Sequence, residues 1–201
     1  GIDAYYLARL AAEKQNPKRI IYEVDPGYFV SEKEEGNNYL LFYHEFPFSK
    51  AKLEYFWNSI AKCNFRTILF PWYEYSLSYE VPKVKETFLQ KIKKDYSITD
   101  LKSDSQEYHE SGFIERYPVD TSKLKKTEIK LYEDGKVAPS NMKYLKKLID
   151  FCKENDIEFV AVTTPVPIAT LKDHSDNYNA AWKYFGKFFE EQGVDYINFN
   201  T

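Results

Sequence analysis

A hydroxyl or thiol nucleophile needs a base within hydrogen-bond reach and oxyanion donors beside it. The sequence holds no Gly-x-Ser-x-Gly elbow and no Gly-Asp-Ser or Gly-Ser-Ser triplet. Ser111-Gly112 lies in a polar stretch and reads as a turn. Cys63 and Cys152 have no neighbouring motif that would activate a thiolate, and their spacing does not suit a metal. His44 sits among aromatics between Tyr39 and Phe48 and is expected to be a satisfied, partly buried ring. His109 and His174 fall in polar loops and are expected at the surface. No two histidines have the spacing of a His-Glu-x-x-His zinc helix, and neither a Walker loop nor Gly-x-Gly-x-x-Gly occurs. Catalytic residues are therefore unassigned, and no cofactor or metal is expected.

What remains is the carboxyl end of the strands. Ligands of open parallel sheets bind just beyond those ends, where loops and helix N-termini converge. Two such ends are legible, Asp25-Pro26-Gly27-Tyr28 and Thr163-Thr164-Pro165-Val166-Pro167. Asp25, Tyr28 and Thr164 are the candidate substrate-binding residues. Asp25 and Thr164 could equally cap turns or helices.

The elements that would position them follow from periodicity. Leu145, Leu148, Ile149 and Cys152 recur three or four residues apart between Asn141 and Glu154, which predicts a helix with a buried stripe that includes Cys152. Asn155 and Asp156 break it, and residues 157–163 form a short β-branched run that suits a buried strand. A polar loop follows, then a helix marked by Tyr178, Ala181, Trp182, Phe185, Phe188 and Phe189, with Gly193 as its C-cap. Residues 194–199 are the next strand. Strand, helix and strand with tight connections make a βαβ unit, hence a parallel pair. At the other end, a helix over 2–14 stops at Asn16-Pro17, and residues 18–24 form a strand. Ser49 is placed to cap a helix running to about Lys62. Residues 66–70 read as a short strand or an extended segment before Pro71, and 84–94 as another helix. From 95 to 136 the chain turns polar, an excursion with a small hairpin expected around Glu133-Asp134-Gly135.

With 201 residues, the chain suits one domain over 1–201. The net charge of −3 gives no basic footprint, which argues against nucleic acid. No apolar run approaches the roughly 20 residues of a membrane span, so any membrane anchor is expected outside this segment. The 18 Tyr, 15 Phe and 3 Trp predict a core built of rings, or a groove with stacking platforms for sugars.

Three segments carry a resemblance. PKRIIYEVDPGYF resembles the third strand and following loop of SGNH hydrolases, in the divergent branch linked to teichoic-acid D-alanylation and alginate acetylation. YLKKLIDFCKENDIEFVAVTTPVP resembles that group's helix and strand ending in a proline-rich turn. YNAAWKYFGKFFEEQGVDYINFN resembles the next helix and strand, and the three together cover about half the chain. The resemblance implies a flavodoxin-like three-layer α/β/α fold with a mostly parallel sheet. It also implies an extracytoplasmic esterase or O-acyltransferase, membrane-anchored or secreted, acting on a cell-wall polymer or exopolysaccharide through a serine acyl-enzyme. The serine block is expected before Gly1 and the Asp-x-x-His block after Thr201, so this piece alone should be inactive. The family's Gly-x-Asn-Asp loop reads Val24-Asp25-Pro26-Gly27-Tyr28 here, without the Asn. Two other readings stay open. One is a non-catalytic carbohydrate-binding or scaffolding domain that stacks sugars on Trp72, Tyr73 and Tyr75. The other is a small-molecule-binding flavodoxin-like domain, although no phosphate-binding loop is present.

Overall fold

The computed structural model describes residues 1–33, 40–64, 66, 70, 85, 88, 89, 92, 106–109, 114–117, 132 and 136–200. The chain divides into two compact units, Gly1–Ile68 with Ile129–Thr201, and Leu69–Glu128.

The first unit is mixed α/β. Helix α1 (Ile2–Gln15) carries Asp3 in its first turn and ends where Asn16 enters the left-handed region at φ 47°, just before Pro17. Strand β1 (Arg19–Glu23) follows, then a short helix α2 (Pro26–Phe29) with proline in its first turn. Helix α3 spans Leu41–Glu45. Ser49 caps α4 (Lys50–Tyr55) as expected, its hydroxyl accepting from the Lys52 amide at 3.2 Å. The helix continues through a π turn (Phe56–Ile60) into α5 (Ala61–Cys63). Helix α6 (Pro139–Glu154) also opens on proline. Strand β4 is Glu158–Thr163, helix α7 is Ile168–Gln192 and strand β5 is Asp195–Asn198. Gly193 caps α7 in the left-handed region at φ 62°, as its position predicts.

The sheet order is β1-β4-β5, with both pairs parallel. Register places Ile20 beside Phe159, Tyr22 beside Ala161, and Ala161 beside Tyr196. These residues pack with Leu145, Leu148, Ile149 and Cys152 of α6, Phe185 and Phe189 of α7, and Ala8 of α1. Cys152 is fully buried on the α6 stripe, as its spacing predicts. A second apolar cluster joins α1 to α4, with Tyr6, Tyr55, Phe46 and Ile60 at its centre. Rings dominate both: Tyr6, Tyr55, Phe29, Phe185 and Phe189 are among the largest fully buried side chains.

Several expectations need correcting. The polar stretch before Tyr178 is helical, because α7 starts directly after Pro167 and is kinked at His174 (φ −136°). Strand β4 is buried on one face only, with Val160 and Val162 half-buried on the other. His44 is exposed on α3, its ring 5.8 Å edge-on from Tyr43, since neighbouring aromatics take the inward positions. His174 sits on α7 rather than in a loop, and His109 and His174 are both partly exposed to solvent.

In the second unit, the described residues form an antiparallel pair, β2 (Gln106–Tyr108) and β3 (Ile114–Arg116), with Glu107 opposite Glu115. The polar excursion thus contains an antiparallel strand pair, while Ser111-Gly112 and the hairpin expected at 133–135 lie outside the described residues. The described residues of the 84–94 segment, Lys85, Phe88, Leu89 and Ile92, are helical as expected. Arg66 is also helical rather than extended, and residues 67–69, Trp72, Tyr73 and Tyr75 lie outside the described set.

Candidate functional site

Two adjoining cavities lie past the carboxyl ends of β1 and β4. The larger, about 590 Å³, is walled by Ile2 and Asp3 of α1, Asp25–Tyr28, Ser31–Lys33, Tyr132, Asn141 of α6, and Asn177 and Tyr178 of α7. The smaller, about 250 Å³, lies between Val24–Pro26 and Thr163–Pro167 and is closed by Thr170 and Tyr178. Asp25, Pro26 and Tyr178 line both, so the pair forms one polar cleft. Its larger lobe has the volume of a small-ligand site.

The structure brings the three sequence-derived candidates to this cleft. Asp25 Oδ1 accepts from the Gly27 amide at 2.8 Å and caps α2. Its field, after burial, raises the Tyr178 phenol above its ordinary value. Tyr28 is 78% exposed, and its carbonyl accepts from Asn141 Nδ2 at 3.0 Å. Thr164 donates to Glu23 Oε1 at 2.6 Å, tying the end of β4 to the end of β1. Beside it, buried Thr163 donates to the Val24 carbonyl at 3.1 Å and meets the Tyr196 hydroxyl at 2.8 Å.

Other residues at the cleft were not singled out by the sequence. Asn141 Nδ2 also reaches the Ser31 carbonyl at 2.8 Å, so one amide pins the loop after α2. Both Glu32 oxygens take the Ser140 amide and hydroxyl, which puts a carboxylate on the first turn of α6 where the helix dipole favours it. Asn177 donates to the Tyr132 carbonyl. Lys33 Nζ contacts Asp3 Oδ1 at 2.6 Å and the Tyr55 hydroxyl at 2.9 Å, and Tyr55 donates to Asp3 Oδ1 at 2.5 Å. Burial first, then Asp3, holds the Tyr55 phenol far above its usual pKa. A fully buried phenol held protonated is a structural bridge between α1 and α4, not a base.

Among the described residues, the cleft offers carboxylates (Asp3, Asp25, Glu32), amides (Asn141, Asn177) and phenols (Tyr28, Tyr132, Tyr178) against one lysine. Such a set suits polyol hydroxyls, with the exposed Tyr28 ring free to lie against an apolar sugar face. No histidine lines either cavity. His109 Nε2 is 3.1 Å from Glu115 in the second unit, and His174 sits at the α7 kink. Among the described residues, no group of three or more His, Cys, Asp or Glu could hold a metal ion, and no helix is long and apolar enough to cross a membrane. Comparison of the chain with protein-family models, curated proteins and solved structures finds no match.

Proposed function

We propose that this chain is the saccharide-binding part of an SGNH-like esterase or O-acyltransferase that works on a cell-envelope polysaccharide or polymer. The observation that carries the binding half is the cleft beyond β1 and β4, where Asp25 and Tyr178 border both lobes. The acyl-transfer half rests on the sequence resemblance, and a mixed α/β unit with a parallel sheet is compatible with it. Three carboxylates against one lysine favour a neutral or amine-bearing sugar polymer over a uronate, because like charges repel in a partly desolvated cleft.

Calorimetry and amide-shift mapping with neutral, amino and uronate oligosaccharides test the binding half. Neutral or amino oligosaccharides are expected to bind with Kd near about 1 mM or tighter. Asp25→Ala and Tyr178→Phe should weaken that binding, while uronates give no heat. Silence towards all three classes would remove the saccharide reading. Ester hydrolysis by this chain alone is expected to be absent. Sequencing the gene on both sides of the segment tests the acyl-transfer half: a serine motif upstream and Asp-x-x-His downstream support it, and their absence removes it. The second reading, a non-catalytic carbohydrate-binding domain, is favoured by the loop after β1, which reads Val24-Asp25-Pro26-Gly27-Tyr28 without the Asn of the family's Gly-x-Asn-Asp loop. It is the reading that survives if binding is found without the flanking motifs.

A further inference from the structure

The two lobes of the cleft lie in series. The loop after β1 runs along both: Val24 borders the smaller lobe, Asp25 and Pro26 border both, and Gly27 and Tyr28 border the larger. Helix α7 runs along both in the same direction, with Thr170 on the smaller lobe, Asn177 on the larger and Tyr178 on both. From Thr170 to Tyr178 the helix makes about two turns, up to about 12 Å, with the bend at His174 between them. One face of α7 therefore follows the cleft for more than the width of a sugar ring.

Asp25 and Tyr178 form the waist between the lobes, and both are held in place. Asp25 Oδ1 is fixed by the Gly27 amide at 2.8 Å. The Tyr178 ring lies 5.7 Å from that of Trp182, which is 9% exposed and so backs it with a buried indole. The smaller lobe, at about 250 Å³, falls short of the roughly 300 Å³ at which sites for whole small molecules begin, whereas the larger, at about 590 Å³, lies well within that range. The smaller lobe is thus an extension of the larger one, not a second site.

We infer that the lobes are consecutive subsites for one linear saccharide threaded between Asp25 and Tyr178, with about one unit in the smaller lobe and about two in the larger, which has more than twice its volume. The site therefore selects a stretch of polymer over a free sugar, a selection that rests on the saccharide reading above. Calorimetry of the whole chain with two probe series, cello-oligosaccharides and glucosamine oligomers of one to six units, tests it. In a series that binds, Kd is expected to fall at least about tenfold from one unit to three, and to change less than about twofold from three to six. Thr170→Trp and Thr164→Trp each fill the smaller lobe from a different wall. Thr170 is half-buried and Thr164 exposed, so the fold should survive, which far-UV circular dichroism and melting check, and either folded variant suffices. Each should raise the three-unit Kd about tenfold, to that of a single sugar on the wild type. Equal Kd at every length, or a length gain that survives in the folded Trp variants, overturns the inference and leaves the saccharide reading standing. No heat from any oligomer removes that reading, and the inference with it.

Discussion

Replacing Tyr55 with Phe isolates what the Asp3-Lys33-Tyr55 bridge contributes to the wall of the cleft. The ring stays, packed 5.0 Å from Phe46 and 5.3 Å from Tyr6, so no cavity opens. What goes is a hydroxyl that donates to a carboxylate and accepts from an ammonium. Hydrogen bonds to charged groups contribute about 1.5–3 kcal/mol each. The two do not simply add, because Asp3 and Lys33 keep their own 2.6 Å contact and are 32% and 21% exposed, enough for water to take the vacated bonds. The expected loss is therefore about 1.5–3 kcal/mol in total, read as a lower urea midpoint at unchanged slope. Combining Tyr55→Phe with Asp3→Asn should cost less than the sum of the single changes, by about 0.5–3 kcal/mol, since both break one network. A single-variant loss under about 0.5 kcal/mol, or strict additivity in the double variant, would refute the bridge as a stabilising unit. Amide exchange in α1 should quicken in the same variant, because that helix supplies Asp3.

Two further outcomes follow from the same structure. Burial pushes the Cys152 thiol up to about 11, and raises the phenols of Tyr22 and Tyr144 to about 12. Each group then holds its proton longer folded than unfolded, so stability is full below about pH 9, falls from there, and has lost these contributions by about pH 12. Urea midpoints across that range check it, and Cys152→Ala should flatten the part of the fall below about pH 11. Gly193→Ala should cost about 1 kcal/mol from backbone conformation alone, since φ is 62° and an added Cβ would meet nothing within 4 Å. A melting temperature unchanged by that substitution would count against the left-handed cap.

The helices and strands of the C-terminal third were legible because their apolar residues recur with one period. Leu145, Leu148, Ile149 and Cys152 fall on one stripe, and all four are buried. The first turns of α7 were not, because residues 168–177 carry no apolar stripe and follow two prolines, so composition reads as loop. The kink at His174 lets that polar stretch be helical without facing the core. At the cleft, Asp25, Tyr28 and Thr164 were found from strand ends. Asn141 and Asn177 were not, since a side-chain amide at a helix position has no period and its partners lie far away in sequence. Asn141 binds the Tyr28 and Ser31 carbonyls across more than a hundred residues. The exposed half of β4 was missed because Val160 and Val162 read as core, and only pairing with Ile21 and Ile197 shows that they share an open face.

Strand order explains both the cleft and the open face. Right-handed crossovers that always step the same way across a parallel sheet lay every connecting helix on one side. The order β1-β4-β5 follows sequence order, and α6 and α7 pack on the same face with α1 beside them. Covering the other face requires the winding to reverse or a helix to arrive from elsewhere. In doubly wound sheets the ligand crevice sits at the carboxyl edge where the winding reverses. Here both lobes of the cleft border the end of β1, through Asp25 and Pro26, and neither reaches β5. Among the described strands β1 lies at the edge, where a reversal would place a crevice and where the polar side chains gather. The open face and the cleft are separable by experiment for the same reason: Ile21 and Ile197 line neither cavity, so Ile21→Lys with Ile197→Lys should leave saccharide binding at Asp25 intact in calorimetry, and a loss of that binding would refute the separation.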